Sequence, residues 1–120
     1  MNSTHDRYLF AVQMLKETYP CVRSVDVAHY LGVSKAAVST ALRQLREQEL
    51  MEVEPDGNLV FTAKGKTHSE RLRTRVLFFQ QLLTRAGVEP SLAMRDAISF
   101  SWEMSDASFE AFRSMGKGVS

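Results

Sequence analysis

The sequence is poor in several features that would assign it to a familiar class. Its 120 residues contain a single cysteine, which excludes an intramolecular disulfide framework and favours the cytoplasm as the compartment. No apolar run approaches the ~20 residues that span a bilayer, and the N-terminus lacks a signal-peptide pattern. The formal net charge is only +1, so the local placement of charge must decide what the chain can bind.

The usual marks of an enzyme are also missing. There is no glycine-rich loop to hold phosphate, no nucleophile with a paired base, and no spaced pair of carboxylates, so we expect no catalytic activity. The three histidines, His5, His29 and His68, are scattered along the chain without the spacing of metal ligands.

What the chain does contain is concentrated in residues 24–62, SVDVAHYLGVSKAAVSTALRQLREQELMEVEPDGNLVFT. Ser24 is a suitable N-cap for a first helix, and Gly32 can take the left-handed conformation that ends it. Ser34 can then cap a second helix. Two short strands, 51–54 and 59–61, flank a turn, Pro55 to Asn58. This order predicts a winged helix-turn-helix.

The periodicity of the second helix decides which face can meet a partner. At about 100° per residue, Val38, Ala41, Leu42 and Leu45 fall on one side. The opposite side is small, hydroxyl-bearing and cationic, which suits the floor of a DNA major groove. The alternative is an ordinary solvated face. The expected DNA-contacting residues on or just before the helix are Ser34, Lys35, Ala36, Ser39, Thr40, Arg43 and Arg46, with Asn58 in the wing and Lys64 after it.

The rest of the chain reads as helical. A helix over residues 4–18 precedes the motif, a long helix capped by Thr62 runs to about Arg85, and another runs from Pro90 to about Met104. The apolar surface of these last helices is wide for a small protein, which favours a partner chain. We therefore expect a mainly α fold with a winged DNA-binding domain at 1–66 and a helical dimerisation domain at 67–120. A monomer that folds these helices onto its own winged domain is the alternative.

The order of the residues from RYLFAVQML to the segment FTAKGK after the wing resembles the diphtheria-toxin-repressor family, and its short manganese-transport-regulator branch in particular. The resemblance covers the winged domain strongly and the later helices more weakly. It implies a homodimeric transcription factor, usually a repressor, that binds a palindromic operator when iron or manganese is abundant. It also implies that the wing turn, 56–58, lies near a phosphate backbone.

The positions at which the family binds its metal carry other residues in this chain. The resemblance aligns the ligand positions with Arg7, Phe10, Val76, Ile98, Ser101 and Trp102. Except weakly for Ser101, none of these side chains is an ordinary ligand for Mn²⁺ or Fe²⁺. We therefore expect no metal site and no cofactor, with Mn or Fe required only if this alignment of ligands is wrong.

Apolar side chains would replace the metal site. The set expected to converge there is Phe10, Met14, Val76, Phe79, Ile98, Ser101 and Trp102. The simpler interpretation is that these apolar side chains pack together and hold the first helix against the dimerisation helices. The more specific hypothesis is that they line a pocket for an apolar small-molecule effector.

The sequence thus predicts a homodimeric DNA-binding regulator without the metal switch of the family. Three alternatives stay open: a Mn- or Fe-dependent repressor with a relocated site, a MarR-type regulator that responds to small molecules, and a protein-interaction module that has lost DNA binding.

Overall fold

The computed structural model describes residues 3–101 and 103–118, apart from the side chains of residues 3, 4, 100 and 116–118. Within these ranges the chain is mainly helical, with a two-stranded antiparallel sheet, and none of its helices is long and apolar enough to cross a bilayer. In chain order the elements are α1 Ser3–Thr18, α2 Ser24–Leu31, α3 Lys35–Glu47, β1 Met51–Val53, β2 Leu59–Phe61, α4 Ala63–Arg85, α5 Pro90–Ser101 and α6 Asp106–Gly118. The predicted fold class, a winged helix-turn-helix followed by helices, is confirmed.

The first three helices share one core. α1 contacts both α2 and α3, and α2 contacts α3. Leu9 and Val12 of α1, Val27 of α2, and Val38 and Leu45 of α3 are completely removed from solvent. Because burial of each such side chain stabilises the fold by about 1.5–3 kcal/mol, this core fixes the orientation of α3.

The turn between α2 and α3 forms as predicted, but the start of α2 does not. Gly32 has φ of 67°, in the left-handed region, and ends α2. Ser24 is the first helical residue rather than the N-cap, so that prediction is wrong. The cap position belongs to Arg23, whose amide donates to Asp26 Oδ2 at 2.8 Å. Asp26 is the third residue of the helix, and a carboxylate at that position can accept from the amide of the cap residue. The hydroxyl of Ser24 does not cap this helix.

The wing is an antiparallel hairpin in which Glu52 of β1 lies opposite Val60 of β2. The first strand was predicted to reach Glu54 but ends at Val53. Glu54 belongs to the turn, because its carbonyl oxygen accepts from the Gly57 amide at 2.8 Å.

The start of α4 is fastened to the segment that joins α3 to the wing. Thr62 caps α4 as predicted, since its Oγ1 accepts from the Gly65 amide at 2.9 Å, and it donates to the Glu49 carbonyl at 2.6 Å. At Gly65 a Cβ atom would lie 1.7 Å from the carbonyl oxygen of Leu50. Only glycine therefore lets the first turn of α4 approach this backbone.

Contacts divide the chain into two compact units within α4, between Arg71 and Leu72. The second unit contains the rest of α4 together with α5 and α6. Phe79 of α4 lies with its ring centroid 5.9 Å from those of Phe109 and Phe112 on α6. These aromatic contacts give the second unit a core of its own.

A buried cation organises the same unit. Arg75, 3% exposed, donates to the carbonyls of Ser101 at 2.9 Å and Met104 at 2.8 Å, and to Asp106 Oδ1 at 2.8 Å. Its guanidinium also lies 4.8 Å from the centre of the Phe109 ring. α5 ends at Ser101 rather than near Met104, because both carbonyls take part in this network instead of continuing the helix.

The N-terminus of α5 is capped from outside the helix. The carboxylate of Glu89 accepts from the amides of Ser91 and Leu92, each at 3.1 Å. These two backbone hydrogen bonds lower the pKa of Glu89 below its ordinary value. Pro90 then occupies the first helical position, as predicted.

Candidate nucleic-acid interface

α3 presents to solvent the face that the sequence analysis expected to be outside. Ser34 caps the helix, its Oγ accepting from the Ala37 amide at 3.1 Å. The buried stripe of Val38, Ala41, Leu42 and Leu45 turns the opposite side outward. The exposed residues on or next to that side are Ser34, Lys35, Ala36, Ser39, Thr40, Arg43 and Arg46. Their contact with DNA stays a prediction.

The cations of this face are available for a partner. Across the described part of the chain, Lys35, Arg43 and Arg46 form no ion pair. Lys35 stands in the first turn of α3, where the helix dipole adds partial positive charge. This end of the helix can therefore attract a phosphate.

The other end of α3 carries mixed charge. Arg43 and Arg46 line a shallow cavity of about 330 Å³ together with Glu47 and, from β1, Glu52. The two carboxylates reduce the positive potential there.

One aromatic hydroxyl near the helix-turn-helix has a shifted pKa. Burial raises the pKa of Tyr30 on α2, and the nearby negative charge of Glu17 raises it further.

Asn58 has a structural role that sequence reasoning missed. Its Oδ1 accepts from the Val22 amide at 3.0 Å and from Lys16 Nζ at 3.3 Å, while its Nδ2 donates to Glu54 Oε1 at 2.6 Å. The Leu59 amide donates to the Val22 carbonyl at 2.8 Å beside it. Asn58 thus holds the wing to the loop before α2, and its predicted contact with DNA is untested.

The wing itself is acidic, and a cation reaches it from another element. Glu52, Glu54 and Asp56 are exposed, and the sequence has no lysine or arginine between residues 47 and 63. Arg23 donates from Nε to the Asp56 carbonyl at 3.0 Å, with NH2 of its guanidinium 4.0 Å from Asp56 Oδ2. Arg23 is therefore a candidate phosphate contact that hairpin patterning alone could not reveal.

Lys64 lies at the start of α4 and is exposed. Its Nζ donates to the Gln48 carbonyl at 3.1 Å, next to the end of α3. This contact keeps its charge close to the candidate interface, as the prediction of a DNA contact requires.

The residues that the resemblance aligns with the family's ligand positions include no carboxylate or imidazole. Phe10 and Val76 are buried and apolar, Ile98 is half-buried, and Arg7 is exposed and cationic. The hydroxyl of Ser101 donates to the Ala97 carbonyl.

The residues predicted to replace the family's metal site are divided between the two units. Phe10 and Met14 lie in the first unit, whereas Val76, Phe79, Ile98 and Ser101 lie in the second. Trp102 lies outside the described residues. The apolar infill and the effector pocket both stay untested predictions.

A carboxylate and an imidazole form a hydrogen-bonded pair within the first unit. His68 Nε2 lies 2.8 Å from Asp6 Oδ1, although 62 positions separate the two residues in sequence. Asp6 is 3% exposed, and its second carboxylate oxygen is buried without a hydrogen-bond partner. No cluster of three or more His, Cys, Asp or Glu side chains that could hold a metal occurs within residues 3–101 and 103–118.

Comparison with known proteins gives matches at the level of sequence and fold. Residues 1–59 match the family described as iron dependent repressor, N-terminal DNA binding domain. The transcriptional regulator MntR of Escherichia coli O157:H7 is 32% identical over 108 residues, which cover 90% of this chain and 70% of that protein. MntR of Salmonella typhimurium is 30% identical over 90 residues, covering 75% of this chain and 57% of that protein.

Two solved structures share the fold. The manganese regulator SloR aligns with a TM-score of 0.78 at 19% identity, covering 98% of this chain and 55% of SloR. ScaR with bound Zn²⁺ aligns with a TM-score of 0.73 at 18% identity, covering 94% of this chain and 53% of ScaR. The chain therefore spans about half the length of these two structures.

The expectation of no cofactor is wrong. The matching family is that of an iron dependent repressor, SloR is a manganese regulator, and the ScaR structure holds Zn²⁺. The expectation rested on the residues at the aligned ligand positions and on the scattered histidines.

Proposed function

The chain belongs to the diphtheria-toxin-repressor family of metal-responsive transcriptional regulators, and on that basis we propose that it acts as a homodimer that binds a palindromic operator. The observation that carries the proposal is the exposed face of α3, which combines unpaired cations with small and hydroxyl-bearing side chains inside the region matched to a DNA-binding domain.

The proposed contacts divide by chemistry. Lys35 and Ser34, at the positive end of α3, bind a phosphate and set the position of the helix. Ser39, Thr40 and Arg43 face the base edges, with Arg43 pairing to guanine. The remaining contacts come from Ala36, whose small side chain permits close approach, and from Arg46, Lys64 and the wing.

The wing would use Arg23 for its contact with the backbone. The carboxylates of Glu54 and Asp56 are repelled by phosphate, so the proposed contact depends on a cation from the loop before α2. Asn58 supports this arrangement by holding the wing against the same loop.

Two arguments support a homodimer: the length of DNA that one α3 can contact, and the exposed apolar side chains of the second unit. One α3 covers only one half-site, and two copies related by a two-fold axis cover an inverted repeat. Large apolar side chains remain at least 40% exposed on all three helices of the second unit: Leu82, Leu92, Phe112 and Met115. We propose that this unit, corresponding to the dimerisation domain expected after residue 66, forms the interface.

We also propose that DNA binding responds to a divalent metal, as the names of the iron dependent repressor family and the manganese regulator SloR indicate for the relatives. The matched relatives named MntR are bacterial transcriptional regulators. Since a bacterial operator lies in the cytoplasm, we place the protein there and propose no catalytic activity.

The MarR-type alternative is less well supported, because the sequence match to MntR extends over 108 residues. A protein-interaction module without DNA binding would not need three unpaired cations on α3, and the following experiment separates it from the proposal.

The test is charge reversal on α3. We expect the double variant Lys35→Glu/Arg43→Glu to bind a fluorescent DNA duplex at least about tenfold more weakly than the wild type at low ionic strength, since phosphate contacts dominate non-specific affinity. Fluorescence anisotropy measures the affinity, and circular dichroism checks the fold.

The matched control is Arg85→Glu/Arg95→Glu, which makes the same change in charge at exposed residues of α4 and α5. We expect its affinity to stay close to that of the wild type. Equal loss in both double variants, or no loss in either, would contradict the assignment of the α3 face.

A further inference from the structure

Three consecutive carbonyls in the segment that leaves α3 are held by residues at the start of α4. The Gln48 carbonyl accepts from Lys64 Nζ at 3.1 Å, and the Glu49 carbonyl accepts from Thr62 Oγ1 at 2.6 Å. The Leu50 carbonyl accepts from the Thr62 amide at 3.2 Å. Carbonyls in and just beyond the last turn of a helix have no partner within that helix, so the start of α4 supplies the donors from outside.

The backbone of this segment has a strained conformation. Glu49 has φ of 60°, in the left-handed region that a residue with a side chain disfavours. Such a conformation persists only where neighbouring contacts fix it. The Glu49 amide donates to the Arg46 carbonyl at 3.0 Å and its carbonyl accepts from Thr62, so both of its backbone groups are bonded. The path of the chain out of α3 is therefore fixed by its contacts rather than by local preference.

Thr62 joins the two sides through one hydroxyl. Its Oγ1 donates to the Glu49 carbonyl and accepts from the Gly65 amide at 2.9 Å. Gly65 adds a close approach, since a Cβ there would lie 1.7 Å from the Leu50 carbonyl oxygen. We call these contacts of Thr62, Lys64 and Gly65 with residues 48–50 the α3–α4 clamp.

α4 continues from the clamp into the second unit. It runs without a break for 23 residues, of which 63–71 belong to the first unit and 72–85 to the second. A rigid helix transmits a constraint from one end to the other. In a dimer formed through the second unit, the spacing of the two α3 helices therefore depends on the angle between α3 and the start of α4.

We propose that the α3–α4 clamp, with Thr62 as its positioning residue, fixes the orientation of α3 relative to α4 and thereby sets the half-site spacing that a dimer accepts. The fixed orientation is a property of the protein without DNA. The effect on half-site spacing rests on the proposed function, since it requires a dimer bound to an inverted repeat.

The first test measures the clamp without DNA. Spin labels are attached to the exposed ends of the two helices through Glu47→Cys and Glu70→Cys, in the full chain carrying Cys21→Ser. Dilution with unlabelled protein leaves only distances within one chain, which dipolar electron paramagnetic resonance measures. We expect a single narrow distance distribution for the chain with Thr62, and one about twofold wider for Thr62→Val, because the Glu49 carbonyl and the Gly65 amide lose their partner.

Two variants serve as controls for this measurement. Thr62→Ser keeps the hydroxyl with both hydrogen bonds, so it should give the narrow distribution. Thr67→Val makes the same change later in α4, where the hydroxyl donates to the Ala63 carbonyl of its own helix at 3.2 Å, and it should also stay narrow. An unchanged width in Thr62→Val, or equal broadening in Thr67→Val, would overturn the proposal.

A second measurement needs no substitution, so it is decisive even if Thr62→Val does not fold. In the wild type, amide hydrogen exchange should be as slow at Thr62 and Gly65 as at Leu50, whose amide donates to the Leu45 carbonyl at 2.9 Å. Exchange at Thr62 and Gly65 as fast as at Asp56 in the exposed wing turn would mean that the clamp opens freely, and the proposal would fail.

The third measurement tests the effect on DNA. In selection from random duplexes with Mn²⁺, we expect the wild type to enrich one half-site spacing, and Thr62→Val to enrich the same half-sites at several spacings. One identical spacing for both proteins would refute the role of the clamp in spacing. If the wild type enriches no repeat while Thr62→Val still broadens the distance distribution, the proposed function fails together with the effect on spacing, and the fixed orientation of α3 stands.

Discussion

Asn58 links the wing to the loop before α2 through both ends of its amide. Val22 and Lys16 donate to its oxygen, and Glu54 accepts from its nitrogen. Arg23 adds a second link from the same loop to Asp56. These residues are far apart in sequence, so a pattern of turn residues predicts the hairpin but not the side chains that position it.

The sequence analysis expected Asn58 to contact DNA, but its hydrogen bonds predict an effect on stability. We expect Asn58→Ala to lower the free energy of unfolding by about 2 kcal/mol, because the Val22 amide loses its acceptor. Urea unfolding measures the change. Gln81→Ala, which removes an exposed amide from α4, should change stability by less than about 0.5 kcal/mol. Unchanged stability with weakened DNA binding would instead assign Asn58 to the DNA contact.

At the scale of the elements, α3 was the part best predicted from sequence. Its buried stripe repeats at the helical period, so Val38, Leu42 and Leu45 define which side faces the core, and the exposed side follows. The pair of Asp6 and His68 could not be predicted in the same way. Their 62-residue separation is closed by packing of α1 and α4, which no local period encodes.

Helix boundaries show the same limit. The end of α5 was placed near Met104 because the apolar pattern continues to that residue. The helix instead ends at Ser101. The buried guanidinium of Arg75 donates to the carbonyls of Ser101 and Met104. A contact between α4 and the end of α5 therefore overrides the local pattern.

The close approach of α4 to the backbone before the wing predicts an effect on stability. We expect Gly65→Ala to lower the free energy of unfolding by at least about 2 kcal/mol, since its Cβ would lie 1.7 Å from the Leu50 carbonyl oxygen and the backbone must move. Thermal unfolding followed by circular dichroism measures the change.

The control for this change is Lys66→Ala at the exposed neighbouring position, which should alter stability by less than about 0.5 kcal/mol. Wild-type stability in Gly65→Ala would mean that α4 does not approach the Leu50 backbone as closely as described.

At the scale of the whole molecule, each unit has its own core and its own proposed task. The first carries α3, the wing and the pair of Asp6 and His68, and the second carries the exposed apolar residues proposed for dimerisation. The sequence predicted the winged domain and its family. It misjudged the cofactor, because that expectation followed from the residues at the aligned positions, whereas the family model and SloR are named for iron and manganese.

The central claim is that two α3 helices read one inverted repeat. The most direct measurement is selection of bound duplexes from a random DNA pool by the full chain in the presence of Mn²⁺, followed by sequencing. We predict enrichment of an inverted repeat whose half-sites are centred about 10 base pairs apart or a multiple of that distance, and no such enrichment with Lys35→Glu/Arg43→Glu. No enrichment by the wild type, or enrichment of a single unrepeated site, would contradict the claim.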